Sequence, residues 1–113
     1  MIKLPLMELL EEYLYNKTIV ANTDLEISFL ERDEDIDELE NRKANLNTRL
    51  SLVDKYDYEY ILTSTEIAMI KAMYIDKPTE KMYEKFNLTE SQFEDWINIL
   101  KKKLKKINIY IAG

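Results

Sequence analysis

Apolar residues recur at intervals of three and four through most of this chain, which is the spacing of amphipathic helices. The longest such pattern is a heptad seam from Leu25 to Tyr60, interrupted by polar residues at Arg32, Lys43 and Asp57. It predicts one helix of about 35 residues, on the order of 50 Å long at 1.5 Å per residue. That length exceeds the diameter of a small domain, so the helix needs a partner along its side.

Two alternative arrangements would cover the seam. A shorter first helix, from Pro5 to about Asn16, folds back on it within the chain, or two copies pair as a homodimeric coiled coil. We favour the dimer, although the two arrangements are compatible. The predicted oligomer interface consists of the apolar seam residues Leu25, Phe29, Ile36, Leu39, Leu46, Leu50 and Val53.

The start of the long helix is predicted from a capping pattern. The stretch NKTIVANT, residues 16–23, indicates a break after the first helix. Thr23 and Glu26 then have the spacing of a capping box, in which a Thr hydroxyl and a Glu carboxylate satisfy backbone N–H groups at a helix start.

Shorter elements follow from about residue 61. Thr63 and Glu66 have the spacing of a second capping box, which opens a helix from about 64 to 76. A short helix over roughly 79–86 follows, and Asn87 tolerates the left-handed conformation of a tight turn.

The last predicted helix begins at a third capping box, formed by Thr89 and Gln92. Its inward stripe consists of Phe93, Ile97, Leu100, Leu104 and Ile107. Three short helices with a tight turn between the last two are typical of a tri-helical helix-turn-helix. For the tail INIYIAG, a short strand and packing on a neighbour are both open.

The predicted fold is therefore all-α: a long N-terminal coiled-coil-like helix followed by a C-terminal tri-helical helix-turn-helix. Residues 1–60 are assigned to a helical oligomerisation region, and residues 61–113 to the helix-turn-helix module. A single Gly and two Pro in 113 residues disfavour folds rich in hairpin turns.

Composition excludes most catalytic chemistry. The chain has no Cys and no His, so thiolate metal sites, disulfides and the commonest general base are absent. Its one glycine, Gly113, cannot form a glycine-rich phosphate loop. We expect neither an enzyme nor a cofactor. The N-terminus is acidic too early for a signal peptide, and no apolar run is long enough to span a membrane, so a cytoplasmic location is expected.

Charge divides the chain into unlike halves. Residues 1–60 carry seven basic and fifteen acidic side chains, whereas residues 61–113 carry nine and seven. Five of the nine lysines lie between Lys101 and Lys106. Only the second half could favour a phosphate backbone, which suggests two tasks in one chain.

The segment LTSTEIAMIKAMYIDKPTEKMYEKFNLTESQFEDWINILKKKLKK resembles region four of bacterial sigma factors and the C-terminal half of ArpU-type phage late-gene regulators. The matching features are Leu62-Thr63 with Glu66, Tyr74 at the end of the first helix, the turn YEKFNLTESQF and the closing run KKKLKK. The chain departs from this pattern in a turn one residue shorter before Met82 and in Asn87, where Gly is usual.

The resemblance implies a dimeric DNA-binding transcriptional regulator of phage or prophage origin, with RNA polymerase as a further expected contact. In that reading the last helix enters the DNA groove. Polar side chains at Ser91, Gln92 and Asn98 approach bases, because such groups bond to base edges. The phosphate contacts are assigned to five lysines: Lys101, Lys102, Lys103, Lys105 and Lys106.

Acidic residues at the front of the same helix oppose this reading. Glu90, Glu94 and Asp95 would meet the phosphate wall and weaken non-specific affinity. Acids at a helix start and lysines at its end also stabilise the helix dipole, which explains the gradient without DNA. A protein-interaction module therefore stays open, as an anti-repressor, a polymerase-binding inhibitor or a DNA-mimicking inhibitor. A scaffold component of an oligomer is a third possibility.

Overall fold

The computed structural model describes residues 2–30, 33–76 and 78–112, and it confirms a mainly helical fold with a long N-terminal helix. The elements in chain order are strand β1 (Ile2–Pro5), helix α1 (Leu6–Phe29), helix α2 (Asp33–Asp54), a 3₁₀ turn (Tyr58–Tyr60), helix α3 (Ser64–Ile70), a π-helical turn (Lys71–Ile75), a 3₁₀ helix (Met82–Phe86), helix α4 (Glu90–Leu104) and strand β2 (Asn108–Ile111). Among the described residues, no helix combines the length and apolar character needed to cross a membrane.

The predicted break at residues 16–23 is wrong, because α1 runs through this stretch without interruption. Thr23 does not cap a helix. Its side chain is buried inside α1, where the hydroxyl donates to the carbonyl of Ile19 at 2.7 Å. A threonine that bonds one turn back in this way is compatible with a helix interior, and the stretch contains no Gly or Pro to end the helix.

The single helix predicted from Leu25 to Tyr60 is also wrong. α1 ends at Phe29, Leu30 is extended, and a new helix begins at Asp33. Acidic residues in the first turn of α2 favour its start, because they complement the helix dipole. At the other end, the Tyr58 hydroxyl donates to the carbonyl of Val53 at 2.8 Å and so satisfies a backbone acceptor in the last turn of α2.

α1 and α2 form an antiparallel helical hairpin within one chain. Two ion pairs cross it: Lys43 with Asp24 at 2.5 Å, and Arg49 with Glu12. The residue early in α1 pairs with the one late in α2, which sets the antiparallel direction. The fold-back alternative for the seam is thus present, with a first helix longer than predicted.

The two chain ends pair as a small antiparallel sheet. β1 and β2 are in register from Ile2 opposite Ile111 to Pro5 opposite Asn108. The backbone N–H of Leu6 donates to the carbonyl of Ile107 at 3.0 Å, which continues the ladder into the start of α1. The strand alternative for the tail is therefore the one observed.

One hydrophobic core joins the two predicted regions. The first turns of α1 and the end of α2 pack with α3 and α4 around a common set of buried side chains. These are Leu6, Met7, Leu9, Leu10, Tyr13, Leu50, Val53, Leu62, Met69, Ile70, Phe93, Leu100 and Leu104. Residue 60 therefore marks a change in sequence pattern and does not separate two cores.

A polar contact anchors the hairpin at this core. The hydroxyl of Tyr13, a side chain only 2 % exposed, donates to Asp54 Oδ1 at 2.6 Å. Burial, together with this hydrogen bond to a carboxylate, raises the pKa of Tyr13 above its ordinary value. Tyr13 therefore stays neutral and ties the first half of α1 to the last turn of α2.

The C-terminal segment contains the three predicted helical pieces in order. The capping box at Thr63 and Glu66 is confirmed, and the helix it opens ends as a π-helical turn at Ile75. The middle piece is shorter than predicted, a 3₁₀ helix from Met82 to Phe86 in place of a helix over 79–86.

If the common core is the stabilising unit, a truncation on either side of residue 60 should lower one unfolding transition of the whole chain. We expect Leu10→Ala and Leu104→Ala each to reduce the free energy of unfolding by about 2–5 kcal/mol. The matched control is Leu25→Ala at a position that is 61 % exposed, where we expect a change within about 0.5 kcal/mol. Denaturant unfolding followed by circular dichroism measures this. Two separate transitions, with only one shifted, would contradict a common core.

Candidate functional site

The candidate site is the outward face of α4, and the turn before α4 determines its direction. Asn87 has the left-handed conformation predicted for it, with φ of 56°. The Thr89 hydroxyl accepts from the backbone N–H of Gln92 at 3.2 Å, and Gln92 Oε1 accepts from the backbone N–H of Thr89 at 3.0 Å. The predicted third capping box is thus confirmed.

The inner face of α4 is held by apolar contacts. The rings of Phe86 and Phe93 stack with centroids 5.8 Å apart, which joins the short 3₁₀ helix to α4. Phe93, Leu100 and Leu104 are buried and Ile97 is half-buried, as their spacing predicted. Ile107, the fifth residue of the predicted stripe, is half-buried but lies beyond the end of α4. With this face in the core, the remaining side chains of α4 point to solvent.

Most of the predicted nucleic-acid contacts lie on this solvent face. Lys101 is partly exposed. The other members of the predicted set are exposed: Ser91, Gln92, Asn98, Lys102, Lys103, Lys105 and Lys106. The acidic residues Glu90, Glu94 and Asp95 are exposed as well, so the opposing charges at the front of α4 are present at the same surface.

Two of the predicted DNA contacts have structural partners within the chain. The amide oxygen of Gln92 is used in the capping box, which leaves only its NH₂ group for a base. The ammonium of Lys103 lies 2.8 Å from Glu66 Oε2, at the start of α3. Lys103 therefore connects α4 to α3, which makes it a positioning residue for the site.

Glu66 receives bonds from two directions. Burial works against its charged form, but the Lys103 ammonium and the Thr63 backbone outweigh burial and hold the pKa of Glu66 below its usual range. One carboxylate thus caps α3 and also pairs with α4. The pairing was not anticipated from the sequence, because Glu66 and Lys103 are distant along the chain.

Two apolar residues on α4 were missing from the sequence-based site. Trp96 is 44 % exposed and Ile99 57 % exposed, and together with Thr63, Glu66 and Met69 they line a hollow of about 250 Å³. The signal was available, because Trp96 and Ile99 lie three residues apart and fall outside the buried stripe. We call these five residues the α4 hollow.

The predicted oligomer interface divides into three parts. Leu50 and Val53 are 8 % and 0 % exposed in the core of their own chain, so assigning them to an interface between copies is wrong. The middle seam residues Ile36, Leu39 and Leu46 are half-buried in α2. Leu25 and Phe29 are largely exposed, because they belong to α1 and extend beyond the core.

The acidic run ERDEDIDELE is described from Asp33 onward, where α2 begins. Asp33, Glu34 and Asp35 form its exposed first turn. Within residues 2–30, 33–76 and 78–112, no group of three or more carboxylates is arranged to hold a metal ion.

Comparisons with protein families, with curated proteins and with solved structures find no match to this chain.

The pairing of Glu66 with Lys103 gives a pH-dependent prediction. Glu66→Gln keeps an oxygen that can accept from the Thr63 N–H but removes the charge that binds Lys103. We expect the free energy of unfolding at neutral pH to fall by about 0.5–1 kcal/mol, since the side chain of Lys103 is half exposed. Denaturant titrations at several pH values measure it.

The difference in free energy of unfolding between Glu66→Gln and the unaltered protein should vanish at acidic pH. Because the pKa of Glu66 is lower in the folded chain, the unfolded state binds its proton first as pH falls. The stabilisation is therefore complete above the ordinary value of 4.5 and is lost as pH drops through the lowered folded value. Glu80→Gln at an exposed position is the control. A Glu66→Gln effect that persisted unchanged at low pH would contradict the ion pair.

Proposed function

We propose that this chain is a DNA-binding transcriptional regulator, of phage or prophage origin, which works as a dimer or larger oligomer. The observation that carries the proposal is the way in which α4 is presented. A left-handed turn at Asn87, a capped helix start at Thr89 and the Phe86–Phe93 stack fix a helix with a polar and lysine-rich outer face. This is the arrangement that a helix needs to enter a major groove.

The chemistry of the exposed side chains supports the same proposal. Ser91 and Asn98 carry hydroxyl and amide groups that can bond to base edges. Lys102, Lys105 and Lys106 are exposed where the helix ends, so they can reach a phosphate backbone. The resemblance to sigma region four and ArpU-type regulators points in the same direction and adds RNA polymerase as a proposed contact.

The acidic front of α4 limits the affinity that this face can supply. Glu94 and Asp95 would lie near phosphates and reduce the electrostatic part of binding. The proposal therefore requires that the lysines at the end of the helix outweigh the carboxylates at its start.

A protein-interaction module is the second candidate function. The exposed acidic surface of α2 and the exposed Trp96 favour it, because aromatic side chains are enriched at protein interfaces and acidic surfaces repel DNA. In this case α4 would contact a protein partner, and neutralising its carboxylates would weaken that contact.

Salt dependence of DNA binding tests the first candidate. Each lysine that contacts phosphate contributes roughly one unit to the slope of log affinity against log salt. We expect Lys102→Ala, Lys105→Ala and Lys106→Ala each to reduce the slope by about one unit. Lys55→Ala, at an exposed position directly after the end of α2, is the matched control and should leave the slope unchanged. Fluorescence anisotropy with pooled DNA fragments measures both.

Removing the acidic charges at the front of α4 should change DNA affinity in the opposite direction. Glu94→Gln together with Asp95→Asn should raise non-specific affinity, because two charges near the phosphates are removed. Flat binding curves for the unaltered protein at about 50 mM salt, near the low end of the usual range, would reject the DNA-binding proposal and leave the interaction module.

A further inference from the structure

The end of the α1–α2 hairpin carries apolar side chains that the described chain leaves uncovered. Leu25 is 61 % and Phe29 78 % exposed, and they lie four residues apart on one face of α1. We call residues 22–29 and 33–40 the hairpin tip. Together they form an apolar surface on a helix that protrudes from the core, where another molecule can reach it.

The tip cannot fold onto the core of its own chain. Tyr13 lies in the core, and Phe29 is 16 residues further along the same helix, about 24 Å away at 1.5 Å per residue. The ion pair between Lys43 and Asp24 holds α2 against this part of α1. Any surface that covers Phe29 would therefore belong to another molecule.

The charge of the hairpin tip indicates which kind of surface can cover Phe29. Between residues 24 and 40 the sequence has nine acidic side chains and one basic one, a net charge of −8. Three of these acids complement the dipole at the start of α2, but the others have no such role. Two tips meeting across a two-fold axis would bring sixteen net negative charges together, which opposes a tip-to-tip dimer.

The complementary surface is at the other end of the molecule. The α4 hollow offers an apolar wall at Trp96 and Ile99 above the buried Met69, with room for one large side chain. The lysine run from 101 to 106 follows directly, with Lys102 and Lys106 exposed. Glu66 at the hollow is already paired with Lys103, and Asp95 is the acid one turn before Ile99.

We propose that the hairpin tip of one copy docks head-to-tail on a second copy, with Phe29 in the α4 hollow and the tip carboxylates against the lysine run. The proposal rests on the self-association part of the proposed function and not on DNA binding. A contact of two different surfaces leaves one of each free, so it extends to chains or rings. The contact is small, so it is weak and salt-sensitive.

This docking would also regulate the candidate site. Lysines covered by an acidic tip cannot bind phosphates, so DNA and the tip compete for the same end of α4. Self-association in this form lowers DNA affinity and is reversed by DNA.

Trp96 is the single tryptophan of the chain, so its fluorescence reports on the hollow. The tip variant, Leu25→Ala with Phe29→Ala, keeps Trp96 but lacks the apolar side chains of the hairpin tip. The hollow variant Trp96→Ala with Ile99→Ala keeps the tip but has no tryptophan. Adding the hollow variant to the tip variant should shift the Trp96 emission to shorter wavelength at about 0.1 M salt, and much less at about 1 M.

The control titrant carries all four alanines and should cause no shift. Circular dichroism of each variant checks that the hairpin and α4 remain folded. Sedimentation of the unaltered protein, without DNA, completes the test. If the unaltered protein associates but the mixture gives no shift, self-association survives and head-to-tail docking is overturned. If the unaltered protein does not associate and the mixture gives no shift, self-association and head-to-tail docking are both overturned. The DNA-binding proposal is tested separately, by the salt titration.

Discussion

Burial of the first turns of α1 is the constraint on which the other elements depend. Leu6, Leu9, Leu10 and Tyr13 are at most 2 % exposed, and fully burying a leucine side chain stabilises by about 1.5–3 kcal/mol. These residues contact both the end of α2 and the C-terminal helices, so they join parts of the chain with very different composition. The two-stranded sheet then closes next to them, because Leu6 pairs with Ile107 at the start of α1.

Anchoring the hairpin at one end leaves the other end free. The buried positions of α2 are Leu50 and Val53, close to its C-terminus, whereas its first half has only half-buried and exposed residues. The distal half of the hairpin therefore relies on ion pairs such as Lys43–Asp24 and on modest apolar contact. An arm that extends from the core presents a surface to other molecules without disturbing the core.

The molecule thus separates opposite charges in space. Acidic residues concentrate at the hairpin tip, and lysines concentrate at the end of α4, where Lys103 is paired with Glu66. In a chain of net charge −6, such separation favours contacts that are oriented and sensitive to salt. DNA binding by α4 and docking of the acidic tip are two uses of that same basic end.

Local signals determined much of the C-terminal segment. The capping boxes at Thr63 and Thr89, the left-handed Asn87 and the inner stripe of α4 depend on residues within one or two turns, so the sequence alone predicted them. Only the tertiary structure decided the rest. A heptad pattern continues across a hairpin turn as well as through one helix, because both helices of a hairpin carry apolar residues at the same spacing as one long helix. The pairing of Ile2 with Ile111 and of Glu66 with Lys103 depends on which surfaces the common core brings together, and no local pattern carries that information.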